Sequence, residues 1–97
     1  MFEVSVAGQS MEPAISNGDT LEFEEIINSK DLIVNDIILC KHPFVKNLKI
    51  IKRISKITDD GFYITGDNKF SYESSDSRSF GPVHPSKVIG KLNNDKI

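Results

Sequence analysis

The stretch that decides the fold is LKIIKRISKI at residues 48–57, followed after one threonine by the turn sequence DDG at residues 59–61. Isoleucine recurs through this stretch, and β-branched residues favour extended backbone. Strand alternation places four of its side chains on one face, which are Leu48, Ile50, Lys52 and Ile54. Because DDG leads into a second apolar run at residues 62–65, we predict a β-hairpin whose first strand turns this face to the core.

Shorter apolar segments on either side of the hairpin predict further strands. They are rich in Val, Ile, Phe and Leu, are separated by Gly and Pro, and cover residues 20–27, 36–41 and 87–92. Residues 11–16 follow Ser10 and predict one short helical turn, whereas the polar, serine-rich residues 68–79 predict a loop. The expected fold is mostly β, a small twisted antiparallel sheet or half-open barrel.

The composition fits a single compact domain at residues 1–97, because 38% of the residues are hydrophobic and 27% are charged. A net charge of -2 without a Lys/Arg-rich block argues against nucleic acid as the main partner. The single cysteine, Cys40, excludes an intramolecular disulfide and fits a reducing compartment. No apolar run approaches the ~20 residues that cross a bilayer, and no signal peptide is recognisable. The sequence therefore predicts a cytoplasmic protein without a stable membrane anchor.

A candidate nucleophile stands in the segment GQSMEP at residues 8–13, where an apparent strand gives way to a turn. Gly8 lets the backbone approach a ligand closely. The N–H groups that open the turn after Ser10 could point at an oxyanion. Ser10 is therefore the candidate nucleophile, and the alternative is that it only caps the turn.

A serine nucleophile needs a neighbouring group to accept its proton. Lys52 is the candidate, since it stands among aliphatic side chains on the predicted core face. An amine withdrawn from water has a lowered pKa and can act as a base near pH 7. The alternative is that the side chain of Lys52 extends to the sheet edge and stays solvated.

Other residue sets offer alternative chemistry. A Ser-His-Asp triad is a possible alternative, although no sequence spacing supports it. Its base would be His42 or His84, and its third member would be Asp19, Asp67 or Asp76. Cys40 and His42 would share a strand face and could form a nucleophilic or metal-binding pair. A buried structural cysteine explains Cys40 better, and the sequence predicts neither a metal nor a cofactor.

Taken in order, several short motifs resemble the signal peptidase I family of Ser/Lys proteases. They are GQSMEP at residues 8–13, Gly18-Asp19, Lys52-Arg53, GDN at residues 66–68, and SSDSR at residues 74–78 followed by Gly81. The resemblance covers nearly the whole chain, from Val4 to about Lys91. It implies the β fold of that family's catalytic core, with Ser10 as the nucleophile and Lys52 as the base.

The resemblance also implies roles for other residues. The Ser74 hydroxyl would orient the lysine amine, as a third residue orients the base in other hydrolases. Asp76 and Arg78 would form a structural ion pair near the site. Three residues would line the substrate cleft, which are Gly8, Gln9 and Met11.

The chain departs from the family pattern in five respects. Gly8 carries no hydroxyl, so the oxyanion hole would rest on backbone N–H groups, including that of Ser10. Asn35-Asp36 stands where the family usually has Gly-Asp, and the loop at residues 68–76 is slightly longer. The short segment between Arg53 and Gly66 has no room for the extra β region of many members. The chain also begins at the catalytic motif, without the family's usual membrane segments.

A narrower resemblance, to the nickel-type superoxide dismutase maturation proteases, is carried by HPF at residues 42–44, LKIIKR at residues 48–53 and DSRSFG at residues 76–81. It implies a substrate, the N-terminal leader of a nickel superoxide dismutase precursor. Two alternatives stay open. One is a Ser/Lys protease that cleaves itself or another target, like the SOS repressors, and the other is a non-catalytic β module that binds peptides. Intact Ser10 and Lys52 argue against the second, because neither is needed to hold a sheet together.

Overall fold

A computed structural model describes residues 1–70 and 76–93 of the chain, and its main feature is one antiparallel sheet. The six strands are Phe2–Ser5 (β1), Thr20–Glu25 (β2), Ile37–Lys41 (β3), Lys49–Thr58 (β4), Gly61–Thr65 (β5) and Val88–Leu92 (β6). Their spatial order is β1-β2-β6-β3-β4-β5, so β1 and β5 are the edges and the sheet is not closed. The prediction of a mostly β fold is confirmed, and the predicted strands agree to within two residues at each end.

The helical elements in the described part of the chain are short. They are one α-helical turn, Ser77–Phe80 (α1), and two 3-10 turns at Ser29–Asp31 and Pro85–Lys87. Residues 11–16 form a single turn, which the Ile15 N–H closes by donating to the Met11 carbonyl. The prediction of a loop at residues 68–79 is wrong at its C-terminal end, because the Asp76 carboxylate caps α1 by accepting the Arg78 N–H. None of the described helices is long and apolar enough to cross a membrane.

The core lies on both faces of the central strand β3. Ile37 and Leu39 contribute to one hydrophobic cluster, whereas Ile38 and Cys40 contribute to a second. The first cluster contains Val6, Met11, Ile15, Phe23 and Leu92, and the second contains Leu32, Ile54, Phe62, Ile64 and Val83. Burial on both faces explains why β3 reads as the continuous apolar run IILC.

Strand β4 differs in its surroundings along its length. Its residues Lys49 to Arg53 pair with β3, but β5 pairs only with the part from Arg53 to Thr58. Residues 49–52 therefore have a strand on one side only, which leaves an open edge. Leu48, just before this edge, is 41% exposed. The prediction that Leu48 faces the core is wrong, because no strand covers this end of the hairpin.

Candidate active site

Lys52 is buried inside the sheet, with a relative exposure of 4%. It lies opposite Ile38 of β3, and the Cys40 thiol is near enough for the two groups to interact electrostatically. Burial raises the pKa of Cys40 to about 12, and the Lys52 amine opposes this with a smaller effect. The prediction that Lys52 faces the core is therefore confirmed, and the solvated alternative is wrong.

Ser10 lies in a turn that is held from two sides. The Asn68 N–H donates to the Ser10 carbonyl oxygen at 2.8 Å, and Asn68 Nδ2 donates to the Gln9 carbonyl oxygen at 2.9 Å. On the other side, the Gly8 N–H donates to Asn17 Oδ1 at 2.9 Å. These contacts fix the backbone that carries the Ser10 hydroxyl.

Gly66 brings the end of β5 close to the Ser10 turn. The β4–β5 register pairs Arg53 with Thr65, and Gly66 is the residue that follows this last pair. A Cβ on Gly66 would lie 2.7 Å from the Ser10 carbonyl oxygen and 3.4 Å from the Ser10 Cβ. Only a residue without a side chain permits this close approach.

The backbone N–H of Ser10 donates no hydrogen bond to any acceptor among residues 1–70 and 76–93. The turn around it uses other donors, because the Glu12 N–H donates to the Gln9 carbonyl and the Ile15 N–H donates to the Met11 carbonyl. A backbone donor beside a serine hydroxyl is the group that an oxyanion hole requires.

Asp76 and Arg78 form an ion pair that braces the Gly66 turn. Arg78 Nη2 lies 2.6 Å from Asp76 Oδ2, and the same carboxylate oxygen accepts the Gly66 N–H at 3.0 Å. Burial by itself would raise the pKa of Asp76. The hydrogen bonds from the Arg78 side chain and from the N–H groups of Gly66 and Arg78, together with the guanidinium charge, outweigh this effect, so the pKa is lowered. The ionised carboxylate thus holds the residue that contacts Ser10.

A second ion pair, Arg53 with Asp67, was missed by sequence reasoning. Arg53 Nε and Nη2 donate to the two Asp67 carboxylate oxygens at 2.9 and 2.8 Å, and Nη1 donates to the Asn35 carbonyl at 2.9 Å. This bidentate pair ties the turn at residues 66–68 to the strand that carries Lys52. The hairpin register would predict this ion pair, because it makes Asp67 a diagonal neighbour of Arg53. The register itself cannot be read from residue types alone.

A cleft of about 1000 Å³ joins these elements. Gly8, Ser10 and Met11 line one part of it, residues 48–52 line another, and apolar side chains of β1 complete it. Gln9 is exposed and is not among the described residues that line the cleft. Ser74, the predicted orienting hydroxyl, lies outside the described residues.

The alternative nucleophile and base candidates are engaged elsewhere. His42 Nδ1 accepts the N–H groups of Phe44 and Val45, and His84 Nδ1 accepts the N–H of Ser86. Neither histidine is among the described residues that line the cleft. The Cys40 thiol is buried and stays protonated at neutral pH, which excludes it as a thiolate nucleophile. In the described part of the chain, no three His, Cys, Asp or Glu side chains group as metal ligands would.

No protein-family model matches the chain, and no curated protein matches it. The resemblance to signal peptidases therefore depends on the ordered sequence motifs alone.

Proposed function

We propose that the chain is a serine endopeptidase of the signal peptidase I type, with Ser10 as the nucleophile and Lys52 as the general base. The observation that carries this proposal is the placement of a lysine with 4% exposure in the cleft that Ser10 lines. An ordinary surface lysine has no reason to be buried there, because withdrawing an ammonium group from water is costly. A lysine that serves as a base must be uncharged, and burial favours that form.

The substrate would bind as an extended strand in the cleft. The open edge at residues 49–52 supports this, because its backbone groups have no strand on the β5 side. The free edge of β1 lies on the opposite side of the cleft. A peptide placed between the two edges would bring its scissile bond to the end of the cleft at which Ser10 and Lys52 lie.

The reaction would proceed through an acyl-enzyme. Ser10 Oγ attacks the carbonyl carbon while its proton passes to the neutral Lys52 Nζ, and the Ser10 N–H donates to the developing oxyanion. When the C–N bond breaks, Lys52 returns the proton to the leaving amine. Water then attacks the acyl group with Lys52 again as base, which frees Ser10. Because the base must be neutral, we expect the cleavage rate to rise with pH through a midpoint well below about 10.4, the ordinary lysine value.

We infer a substrate class from the motifs shared with nickel-type superoxide dismutase maturation proteases. The substrate would be the N-terminal leader of a nickel superoxide dismutase precursor, which the enzyme removes in the cytoplasm. Cleavage would release the new N-terminus that takes part in nickel binding.

The test is incubation of the chain with this precursor, with the new N-terminus identified by mass spectrometry. We expect one defined cut with the wild-type chain, no cut with Ser10→Ala, and wild-type cleavage with Ser16→Ala, a matched change at an exposed serine. Cleavage by Ser10→Ala at the wild-type rate would overturn the proposal. A precursor that binds in the cleft without being cut would favour the peptide-binding module instead. A cut within the chain itself would favour the self-cleaving alternative.

A further inference from the structure

The connection between β3 and β4, residues 41–49, exposes apolar side chains at one end of the cleft. Phe44 is 76% exposed, Val45 is 48% exposed and Leu48 is 41% exposed. Together these three side chains form a local apolar surface that the proposed catalytic chemistry does not use. Exposed apolar groups gathered in one place are typical of a surface that another chain covers.

This 41–49 loop is held in one conformation by its own contacts. The His42 Nδ1 accepts the N–H groups of Phe44 and Val45, and the His42 N–H donates to the Leu48 carbonyl at 2.8 Å. The rings of His42 and Phe44 pack edge-on against Phe80 of α1, at centroid distances of 5.0 and 6.5 Å. Because the loop is already ordered, a partner that binds there incurs little further loss of conformational entropy.

The surface around the loop is basic, although the whole chain is acidic. A cavity of about 410 Å³ beside the loop is lined by four lysines, which are Lys41, Lys46, Lys49 and Lys87. No Asp or Glu is among the described residues that line it. The net charge of the chain is -2, so this positive potential is local. It is complementary to a carboxylate-rich partner.

The basic cavity is continuous with the cleft, because Leu48 and Lys49 line both. From Lys49 to Lys52 a strand rises by roughly 10 Å, at about 3.3 Å per residue. A peptide that places its scissile bond at Ser10 and follows the open edge of β4 would reach the 41–49 loop some three to five residues from the cut.

We propose that the 41–49 loop is a docking surface for an acidic segment of the polypeptide that enters the cleft. Carboxylates of that segment pair with the lysines, and apolar side chains between them cover Phe44 and Val45. The assignment of this segment to the substrate rests on the proposed function. The preference of the loop for acidic peptides does not rest on the proposed function, so the docking surface and the cleavage reaction can be tested separately.

The binding test uses the full chain carrying Ser10→Ala and a fluorescein-labelled peptide of alternating Glu and Leu, with fluorescence anisotropy as the readout. The same peptide with Gln for Glu, and vesicles of phosphatidylserine, are the comparison ligands. We expect the double variant Lys46→Glu/Lys87→Glu to bind the acidic peptide roughly tenfold more weakly, because like charges repel across the interface. The matched variant Lys30→Glu/Lys56→Glu, at exposed lysines elsewhere, should bind like the parent.

The proposal would be overturned if the chain bound the acidic peptide and its Gln counterpart with equal affinity. It would also be overturned if both double variants lost the same amount of affinity for the acidic peptide. Binding to the vesicles but not to the acidic peptide would overturn it as well, in favour of a membrane surface. Phe44→Ser tests the apolar part, and we expect a roughly threefold weaker complex because one exposed aromatic contact is lost. Loss of cleavage in Ser10→Ala with peptide binding intact, by contrast, concerns only the proposed function.

Discussion

Strand β4 carries three lysines, which are Lys49, Lys52 and Lys56, and only the Lys52 side chain is buried. Lys52 is 4% exposed, whereas Lys56, four residues later in the same strand, is exposed to solvent. Strict alternation would place both on the face of Ile54. The register against β5 shifts between Ile54 and Lys56, and after this irregularity the side chains no longer follow the earlier alternation. The exposure of Lys56 therefore follows from this shift in the register of the sheet rather than from the composition of the strand.

The surroundings of the two lysines differ in a second way. The Lys52 end of β4 has an open edge, and Gly66, which follows the end of β5, approaches the Ser10 turn. The Lys56 end is paired with β5 and closes at the hairpin turn. The same residue type is thus buried at one end and exposed to solvent at the other.

The largest effect is expected from removing the buried amine. Lys52→Met keeps much of the side-chain volume but has no basic group, and we expect cleavage to fall roughly 1000-fold or more. Lys56→Met should cleave at the wild-type rate, because its amine is in solvent. Rates are measured by mass spectrometry on the precursor, and melting temperatures confirm that both variants fold. Equal rates for the two variants would remove the distinction between the two ends of the strand.

A Cβ at Gly66 should disturb the Ser10 turn, because it would meet the Ser10 carbonyl oxygen and would also contact the Ser10 Cβ. Gly66→Ala must move the Ser10 carbonyl, which would lie 2.7 Å from the new carbon, and we expect roughly 100-fold slower cleavage. Gly18→Ala is the control, because it has open space but a strained φ of +91°, so it should lower stability and leave the rate of the folded enzyme unchanged. If Gly66→Ala loses only as much activity as Gly18→Ala, the contact with Ser10 does not position the nucleophile.

Breaking the ion pair between Arg53 and Asp67 should have a smaller effect on cleavage, because it acts only through the turn near the Lys52 end of β4. Arg53→Met leaves the Asp67 carboxylate without its bidentate donor, and we expect a loss of about 1–2 kcal/mol in the free energy of unfolding. Cleavage should slow roughly tenfold, because the turn that contacts Ser10 is less firmly held. Arg53→Lys should retain only part of the stability and part of the cleavage rate, since an ammonium group cannot reproduce the two parallel hydrogen bonds of the guanidinium group. Wild-type stability and cleavage in Arg53→Lys would show that the positive charge at this position is sufficient.

The last expected effect concerns stability at low pH rather than cleavage. Because the pKa of Asp76 is lowered in the folded chain, its contribution to stability is complete above the unfolded value of about 3.9 and is lost as the pH falls through the lower folded value. Urea unfolding from pH 7 to pH 2 should show the wild type more stable than Asp76→Asn by about 2 kcal/mol at pH 7. This advantage should shrink below about pH 4. A difference that stays constant over the whole range would contradict an ionised, hydrogen-bonded Asp76.

Much of this site follows from local pattern in the sequence. Alternation alone placed Lys52 toward the core, and DDG at residues 59–61 gave the hairpin, because both signals depend on neighbouring residues only. The cap of α1 by Asp76 was not predicted, because a helix of four residues has no periodicity to reveal it.

The remaining features depend on register and on contacts between distant segments. Nothing in the residue types of β4 indicates the shift between Ile54 and Lys56, so alternation places Lys56 on the core face although its side chain is exposed. The pairing of Arg53 with Asp67 and the contact of Gly66 with Ser10 require the hairpin register and the docking of the N-terminal turn. The order of the six strands likewise depends on long-range pairing, which the sequence pattern of single strands does not specify.

The central claim is that the Lys52 amine lies beside the Ser10 hydroxyl, and an experimental crystal structure of the full chain tests it most directly. We expect Lys52 Nζ within hydrogen-bond distance of Ser10 Oγ, at about 3 Å. A structure in which the amine reaches solvent and points away from Ser10 would contradict the account, whatever the motifs resemble.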